Sequence, residues 1–458
     1  MPVRGLVVPV LSLIGICAAI GVGVLSGAPV VTAPVAHAAK SEPATLFHVL
    51  LTMATVAALA QVIGRLFVYV RQPAVVGEML AGLALGPSLL GRVSPAAAEI
   101  LLPREVGPYV RLVAQIGVVL FMFLVGLELD AARLRHRMRS AATISLAGIV
   151  VPLGIGAVAA VVLYPVLAPD GVGKVVFTAF FAVAMSVTAF PVLARIVAER
   201  KLQKSPLGVM ALTCAAFDDA SAWCLLAIVA SLAGSKPGEG WVTLGLTVLY
   251  VAFMIGVVRP LLVRLFGSDE EPASGMIPSV FLLLLVSALA TEWIGIHALF
   301  GAFLLGAIMP AEGQLARRVV AQLEDLVQIV LLPVFFAFTG MRTEVGLLVG
   351  TKAWLLTGLI IGLAFLGKLG GVSITARLLG FRWSQAAALG VLMNTRGLME
   401  LIVLNVGLDL GIISRSLFAM MVLMALITTI AGGPLLDLIG RAETFDVGAT
   451  EPEPQAAR

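Results

Sequence analysis

The chain has 458 residues, of which 60% are hydrophobic and only 12% are charged, and its mean hydropathy is +1.08. Because soluble domains carry about 25% charged residues, this composition excludes a soluble globular protein. Continuous apolar runs, such as residues 146 to 164, also exclude a membrane barrel, whose strands alternate apolar and polar residues. The net charge of +4 does not indicate a nucleic-acid partner, because the basic residues lie mostly in short loops. The sequence therefore predicts an all-α polytopic membrane protein.

Residues 1–39 have two interpretations. Arg4 precedes a long apolar stretch over residues 6 to 25, and Ala36-His37-Ala38 has the pattern of a signal-peptidase cleavage site. This order of features is typical of a cleaved signal peptide. The alternative is an extra transmembrane helix, because the stretch is longer than the apolar core of about 7 to 15 residues in most signal peptides.

The chain from residue 40 to residue 440 is predicted to be one membrane domain of about thirteen transmembrane helices, or fourteen with an uncleaved N-terminal helix. Lys and Arg are about twofold more frequent in one alternate set of the loops, which predicts a cytoplasmic C-terminus in the plasma membrane. Residues 441–458 are predicted to form a short disordered cytoplasmic tail. The predicted segments are residues 46–69, 73–90, 110–128, 140–164, 175–198, 206–233, 241–264, 277–293, 295–311, 325–341, 352–376, 384–406 and 413–438.

Six ionisable residues lie well inside these apolar segments. A charge at the centre of a membrane helix costs about 2.5 to 3.5 kcal/mol even on lenient insertion scales. Each residue therefore needs a partner or an aqueous path, and each is a functional candidate. They are Glu78, Asp218, Asp219, Lys368, Arg396 and Glu400.

Asp218 and Asp219 are the most informative of these residues. Neighbouring side chains on a helix point about 100° apart, so one carboxylate can face a cavity while the other reaches a neighbouring helix. Burial in a low-dielectric site disfavours an ionised carboxylate, so such a group binds either a proton or a small cation. If the two compete for one site that opens alternately to each side, exchange follows. The alternative is a buried polar pair that locks helices together.

The other buried charges have both structural and functional interpretations. Lys368 is the natural counter-ion for one of the aspartates, or else a lysine that extends from a helix end towards the interface. Arg396 and Glu400 are spaced i, i+4, so they lie on one helix face and can pair with each other. Glu78 is a possible gate or a packing partner.

Two segments are predicted to be discontinuous helices, because each carries helix-breaking or polar residues deep in the membrane. Each is the middle member of a three-helix group, and the groups at residues 140–233 and 352–438 enter the membrane from opposite sides. This order is typical of an inverted repeat whose broken helices cross at the ion site. A proline kink used only for packing is the alternative. The residues concerned are Ser186, Thr188 and Pro191 in the first segment, and Asn394, Thr395, Arg396 and Gly397 in the second.

Taken together, several motifs make the chain resemble the monovalent cation:proton antiporter family, which is related to bacterial sodium/proton and potassium/proton exchangers and to plant cation/proton exchangers. The resemblance covers roughly residues 46 to 438. It depends on residues 71–78 with 86–91, on 123–130, on 188–195, on Asp218-Asp219, and on 394–398 with Glu400-Leu401.

The resemblance implies a core domain that moves like an elevator against a dimerisation domain, and therefore a homodimer in membrane lipid. It implies that Asp219 carries the ion and that Lys368 pairs with Asp218; members with two aspartates are usually electrogenic. Potassium-efflux relatives append a nucleotide-binding regulatory domain. No G-x-G-x-x-G motif is present, so regulation by a bound dinucleotide is not expected. The three cysteines lack the spacing of metal ligands, and no cofactor or resident metal is expected.

The leading hypothesis is a secondary antiporter, not an enzyme, that exchanges Na⁺ or K⁺ for H⁺ by alternating access. The alternative is a proton- or sodium-coupled transporter of an organic solute on the same fold. An intramembrane aspartyl protease needs two aspartates on separate helices, and here they are adjacent. No selectivity loop or ring of charges indicates a channel.

Overall fold

The computed structural model describes residues 42–70, 72–101, 103–128, 138–202, 205–233, 240–266, 276–310 and 314–442. The predicted signal peptide or extra helix at residues 1–39 lies outside the described residues. Residues 443–458 of the predicted tail lie outside them as well. Within the described residues, the secondary structure is helical and contains no strand.

The helices are labelled α1 to α15, with the shortest ones left unlabelled. Three of them, α8, α11 and α12, contain one π-helical turn each. The bounds are α1 Glu42–Tyr69, α2 Ala74–Leu85, α3 Gly107–Glu128, α4 Met138–Leu167, α5 Lys174–Ser186, α6 Phe190–Glu199, α7 Pro206–Ala233, α8 Gly240–Phe253 through Met254–Val258 to Arg259–Phe266, α9 Met276–Ile294, α10 Ala298–Ile308, α11 Gln314–Leu326 through Val327–Leu331 to Leu332–Arg342, α12 Gly350–Phe365 through Leu366–Gly370 to Gly371–Leu378, α13 Trp383–Met393, α14 Leu398–Asp409 and α15 Arg415–Ala442.

The protein is a multi-pass integral membrane protein, as the sequence predicts. In the described part of the chain, 10 helices are long and apolar enough to cross a membrane, and the pair α13 and α14, bent by 43°, brings the number to 11. The helices α5 and α10 are apolar but have only 13 and 11 residues. The count of thirteen spans therefore stays a prediction.

The boundary predicted for α11 was wrong. The helix begins at Gln314 and not at residue 325. Its first half buries Leu315, Val319 and Leu323, which recur every four residues on one face, while Arg317 and other polar residues occupy the opposite face. A search for continuous apolar runs discards such an amphipathic half-helix.

The described helices pack into two bundles. In the central bundle, α4 packs against α5, α7 and α12, while α13 packs against α12, α15 and α7. In the flanking bundle, α3 packs against α10 and α11, and α2 packs against α1 and α11. The order of a long helix, two half-helices and a long helix occurs twice in the central bundle, as α4 to α7 and as α12 to α15.

Glycines let helices of the flanking bundle approach closely. A Cβ atom on Gly126 of α3 would lie 2.3 Å from the carbonyl oxygen of Phe303, and one on Gly306 of α10 would lie 2.2 Å from that of Phe123. Close backbone contact of this kind is how membrane helices associate, since lipid provides no hydrophobic driving force between them.

Candidate functional site

The site is built around two breaks in the central bundle. The helix α5 ends at Ser186, residues 187–189 are extended or irregular, and α6 begins at Phe190. Pro191 is the second residue of α6, where its missing N–H costs no helical hydrogen bond. The other break separates α13 from α14 at residues 394–397.

The two breaks cross and bond to each other. The N–H of Ala189 donates to the carbonyl oxygen of Thr395 at 3.1 Å, and the Thr188 hydroxyl, whose single proton is shared with the shorter bond to Asp218, lies 3.1 Å from that of Met393. Backbone groups that the missing helical turns leave unpaired are thus satisfied between the breaks, as the low-dielectric interior requires. Gly397 lies at the same crossing, where a Cβ atom would be 2.7 Å from Val192.

Both carboxylate oxygens of Asp218, on α7, accept hydrogen bonds. Its Oδ1 accepts a hydrogen bond from the Ser145 hydroxyl of α4 at 2.5 Å. Its Oδ2 accepts from Thr188 at 2.7 Å and from the Lys368 ammonium at 2.6 Å. The side chains of Asp218 and Lys368 are 1% and 0% exposed, so the ion pair is fully buried. The three donors come from three different structural elements, so this one residue ties α4, the break before α6 and α12 to α7.

Asp219, the next residue, is buried to the same extent but has few partners. Its Oδ1 accepts one weak hydrogen bond, from the N–H of Phe190 at 3.5 Å. Its Oδ2 has no hydrogen-bond partner among the described residues. Phe190 is the first residue of α6, so the positive end of this half-helix faces the carboxylate. The contrast with Asp218 leaves Asp219 as the carboxylate with an open coordination position.

Lys368 and Arg396 together cap the C-terminal end of α5. The Lys368 ammonium donates to the carbonyl oxygen of Ser186 at 2.7 Å. The Arg396 guanidinium donates to those of Ala184 and Met185. These are the last carbonyls of a half-helix, which have no helical partner and carry its negative dipole end. Two buried cations therefore stabilise the position at which α5 stops.

Arg396 also forms an ion pair with Glu400 of α14, at 2.8 Å, with both side chains 0% exposed. Its backbone N–H donates to the Thr429 hydroxyl of α15 at 2.9 Å. Among the described residues, the Glu400 Oε1 atom has no hydrogen-bond partner. The i, i+4 pair therefore links both breaks to α15.

The structure brings most of the predicted site residues together. Asn394 and Thr395 are buried at the crossing, and Ser186 contributes its carbonyl oxygen to Lys368. Glu78 lies on α2 of the flanking bundle, half-buried, with its side chain packed beside Gly64 of α1. Its role as a gate stays a prediction.

Sequence analysis missed Ser145 and Thr429. Each is a hydroxyl residue inside an apolar segment, and their partners Asp218 and Arg396 are 73 and 33 residues away along the chain. A single hydroxyl in an apolar run is a weak signal, because it can bond to its own helix backbone.

A cavity of about 190 Å³ lies between the two bundles beside the site. Its walls come from α3, α6 and α11, and Phe190 belongs to its lining. The same residue donates the backbone hydrogen bond to Asp219, so the cavity adjoins the open carboxylate. The lining residues are Phe121, Leu124, Val125, Phe190, Ala194, Val320, Glu324 and Gln328.

At the other end of α11, a polar seam joins the bundles. Arg342 of α11 contacts Asp409 of α14 at 2.7 Å and Asn405 at 2.9 Å. Arg111 of α3 contacts Asp409 at 3.5 Å, and the Asn405 amide donates to Thr339 at 2.9 Å. Arg342 lies 14 residues beyond Gln328, or about 21 Å along the helix axis. The bundles are thus held together at one end and separated by a cavity nearer the other.

The transmembrane model of sodium/hydrogen exchangers matches residues 50–441 of this chain. The chain belongs to the sodium/hydrogen exchanger family. This result confirms the family resemblance inferred from the sequence motifs. The family assignment applies to almost the whole described chain and includes both bundles.

Curated relatives agree with this family. The Na⁺/H⁺ antiporter NhaS4 of Synechocystis is 43% identical over 397 residues, which cover 86% of this chain and 97% of that protein. Cation/H⁺ antiporter 20 of Arabidopsis thaliana is 39% identical over 83% of this chain, and K⁺/H⁺ antiporter 1 of Saccharomyces cerevisiae is 34% identical over 88%. Each of these two matches covers only 47% of the relative.

The fold is that of a solved exchanger. The sodium proton antiporter MjNhaP1 from Methanocaldococcus jannaschii superposes with a TM-score of 0.63, and the match covers 85% of this chain and 99% of that one. Because the sequences are only 13% identical, this match establishes the fold alone.

The Lys368–Asp218 pair is predicted to be a major source of stability. Lys368→Ala removes one partner of a buried ion pair and leaves Asp218 uncompensated, which costs roughly 3–5 kcal/mol. We expect a clearly lower melting temperature in detergent. The double variant Lys368→Ala/Asp218→Asn should recover part of this loss, because no buried charge is then left unpaired.

The matched control is Lys352→Ala, which removes an exposed lysine from the same helix and should leave the melting temperature unchanged. Equal melting temperatures for Lys368→Ala and Lys352→Ala would contradict the stabilising role of the pair.

Proposed function

We propose that the protein is a secondary active antiporter that exchanges a monovalent cation, Na⁺ or K⁺, for H⁺, and that both ions compete for Asp219. One observation carries this proposal. Asp218 accepts three strong hydrogen bonds, whereas Asp219, equally buried, accepts one long hydrogen bond and keeps Oδ2 without a partner. The family and the names of the relatives supply the class of ion.

The competition follows from elementary electrostatics. An ionised carboxylate that is buried without a partner is unstable, and either a proton or a bound cation neutralises it. Both ligands use the same oxygen atoms of Asp219, so binding of one excludes the other. Asp218 is unsuited to this exchange, because Lys368 already neutralises it and two hydroxyls fill its remaining positions.

The charge of the site favours obligatory exchange. Lys368 balances Asp218 and Arg396 balances Glu400, so the vacant site keeps the single negative charge of Asp219. A site loaded with H⁺ or with a monovalent cation is neutral. Moving a net charge through the low-dielectric interior is costly, so the loaded forms reorient more readily than the vacant one. Ions then cross only in exchange for each other.

Alternating access is the proposed mechanism, and the asymmetry of the two ends supports it. The seam around Arg342 and Asp409 closes the space between the bundles at the C-terminal end of α11. The cavity beside Phe190 separates the bundles along the first half of α11. With the orientation that the Lys and Arg distribution predicts, the cavity faces the cytoplasm. Opening the seam and closing the cavity would expose Asp219 to the opposite side.

The organic-solute alternative is not favoured. Pockets for small organic molecules usually have volumes of about 300 to 1,000 Å³. The cavity beside the site, at about 190 Å³, is smaller than this range. It suits a monovalent cation with a few water molecules.

We also propose a domain division, an oligomeric state and an orientation in the membrane. The proposed domain at residues 40–440 has the helix groups 140–233 and 352–438 as its ion-carrying core. Their mutual packing in the central bundle supports this division. A homodimer in the plasma membrane, with a cytoplasmic C-terminus, is proposed on the family resemblance and on the distribution of basic residues.

One prediction of the exchange function concerns Asp219. Asp219→Asn keeps the size of the side chain but removes the exchangeable charge, so we expect it to abolish transport while the protein still folds. In proteoliposomes at fixed membrane potential, Na⁺, K⁺, Li⁺ and choline are added in turn and internal pH is followed. Wild type should move protons with at least one alkali cation and not with choline.

Asp170→Asn is the matched control, because it neutralises an exposed aspartate in the loop between α4 and α5. It should transport like wild type. Substantial exchange by a folded Asp219→Asn protein would refute the assignment of the ion site.

A second prediction concerns the seam between the bundles. Asp409→Asn removes the carboxylate that Arg342 and Arg111 share, so the sealed end should open more often. Partly exposed ion pairs contribute up to about 1 kcal/mol, which corresponds to a shift of about twofold to fivefold between the two access states. In a cysteine-free background, Ala194→Cys in the cavity lining should react with an impermeant maleimide more slowly, by up to this factor.

Asp437→Asn provides the comparison, since Asp437 pairs with Arg200 at 2.6 Å near the C-terminal end of α15 and not with Arg342 or Arg111 of the seam. In the same cysteine-free Ala194→Cys protein, adding Asp437→Asn should leave the labelling rate unchanged. An unchanged rate in Asp409→Asn would show that the seam does not control access.

A further inference from the structure

The cavity between the bundles carries a polar stripe on one wall. Val320, Glu324 and Gln328 follow each other at intervals of four residues, so they share one face of α11. Phe190 and Ala194 of α6 are also four residues apart and form part of the facing wall. The third wall, from α3, is apolar. Glu324 is therefore the one acidic residue in this lining.

Glu324 is half-buried, and Gln328 is exposed. Glu324 lies ten residues after the start of α11, which is roughly 15 Å along the helix axis. Gln328 lies fourteen residues after that start, or roughly 21 Å along the axis. The hydrogen bond that the structure gives Glu324 comes from the Gln328 amide, at 3.0 Å. An amide orients a carboxylate but does not neutralise its charge. A carboxylate that lines a cavity with otherwise apolar walls attracts cations.

The stripe leads towards the open carboxylate. Phe190 lines the cavity, and its backbone N–H donates to Asp219. Gln328 belongs to the π-helical turn Val327–Leu331 of α11. Such turns interrupt the regular backbone hydrogen bonding and are frequent at functional sites. Glu324, Gln328 and Phe190 thus line one cavity, and Phe190 connects that cavity to Asp219.

We propose that Glu324, oriented by Gln328, is an entry site that concentrates a partly hydrated monovalent cation in the cavity and passes it to Asp219. This inference rests on the proposed exchange function. The carboxylate raises the local concentration of the cation, and the amide oxygen of Gln328 provides a neutral ligand at the next turn. The exchange at Asp219 itself does not involve Glu324.

The expected effect follows from this division of roles. In Glu324→Gln the cavity keeps its shape but loses its charge, so the half-saturating cation concentration should rise by about threefold to tenfold. The maximal exchange rate should stay within about twofold, because Asp219 is intact. Since the attraction is electrostatic, raising ionic strength with choline chloride should weaken cation binding more in wild type than in the variant.

The experiment uses everted membrane vesicles, so that the added cation meets the cytoplasmic face, and records exchange as a function of Na⁺ or K⁺ concentration. Asp325→Asn is the matched control. It removes the same charge one position further along α11, from an exposed residue that does not line the cavity. It should behave like wild type.

Glu324→Asp keeps the charge and should return the half-saturating concentration towards that of wild type, while melting temperatures confirm that all variants fold. An unchanged half-saturating concentration in Glu324→Gln overturns the entry site while the exchange function stands. An equal rise in Asp325→Asn, or a loss of maximal rate alone, overturns it as well. Absence of exchange in wild type overturns the proposed function and this inference together.

Discussion

The buried ion pair between Lys368 and Asp218 is the interaction on which the site depends. Two charges at 2.6 Å, both removed from solvent, are stable only when the remaining hydrogen-bonding positions are also filled. Ser145 and Thr188 fill those of Asp218, and the end of α5 accepts from Lys368. The pair thereby fixes α4, α7, α12 and the break before α6 relative to each other. This arrangement places Asp219 opposite the first N–H of α6.

The broken helices serve the electrostatics of the membrane interior. Stopping α5 at Ser186 exposes carbonyls that two cations bind, and starting α6 at Phe190 presents a positive helix end to Asp219. Arg396 needs Glu400 beside it, because its charge is otherwise uncompensated. All buried charges of the cluster are then balanced except that of Asp219. The ligand that restores neutrality is supplied from solution, which is the physical basis of the proposed exchange.

Much of the fold and of the site could be predicted from the sequence. Charges in apolar segments are expensive, so Asp218, Asp219, Lys368, Arg396 and Glu400 stood out without an alignment, and helix-breaking residues located the breaks. Other features depend on which side chains meet in space. Ser145 is inconspicuous in its apolar segment, and Arg342 and Asp409 resemble ordinary charges at helix ends. The amphipathic first half of α11 resembles a loop when only continuous apolar runs are counted, so Glu324 was missed with it.

The central claim is that a cation and a proton exclude each other at Asp219. The most direct measurement is the release of protons when Na⁺ or K⁺ is added to purified protein in weakly buffered detergent solution. The account predicts that wild type releases protons as it binds the cation, that the release saturates with cation concentration, and that Asp219→Asn releases none. Cation binding without proton release, or release that persists in Asp219→Asn, would contradict it.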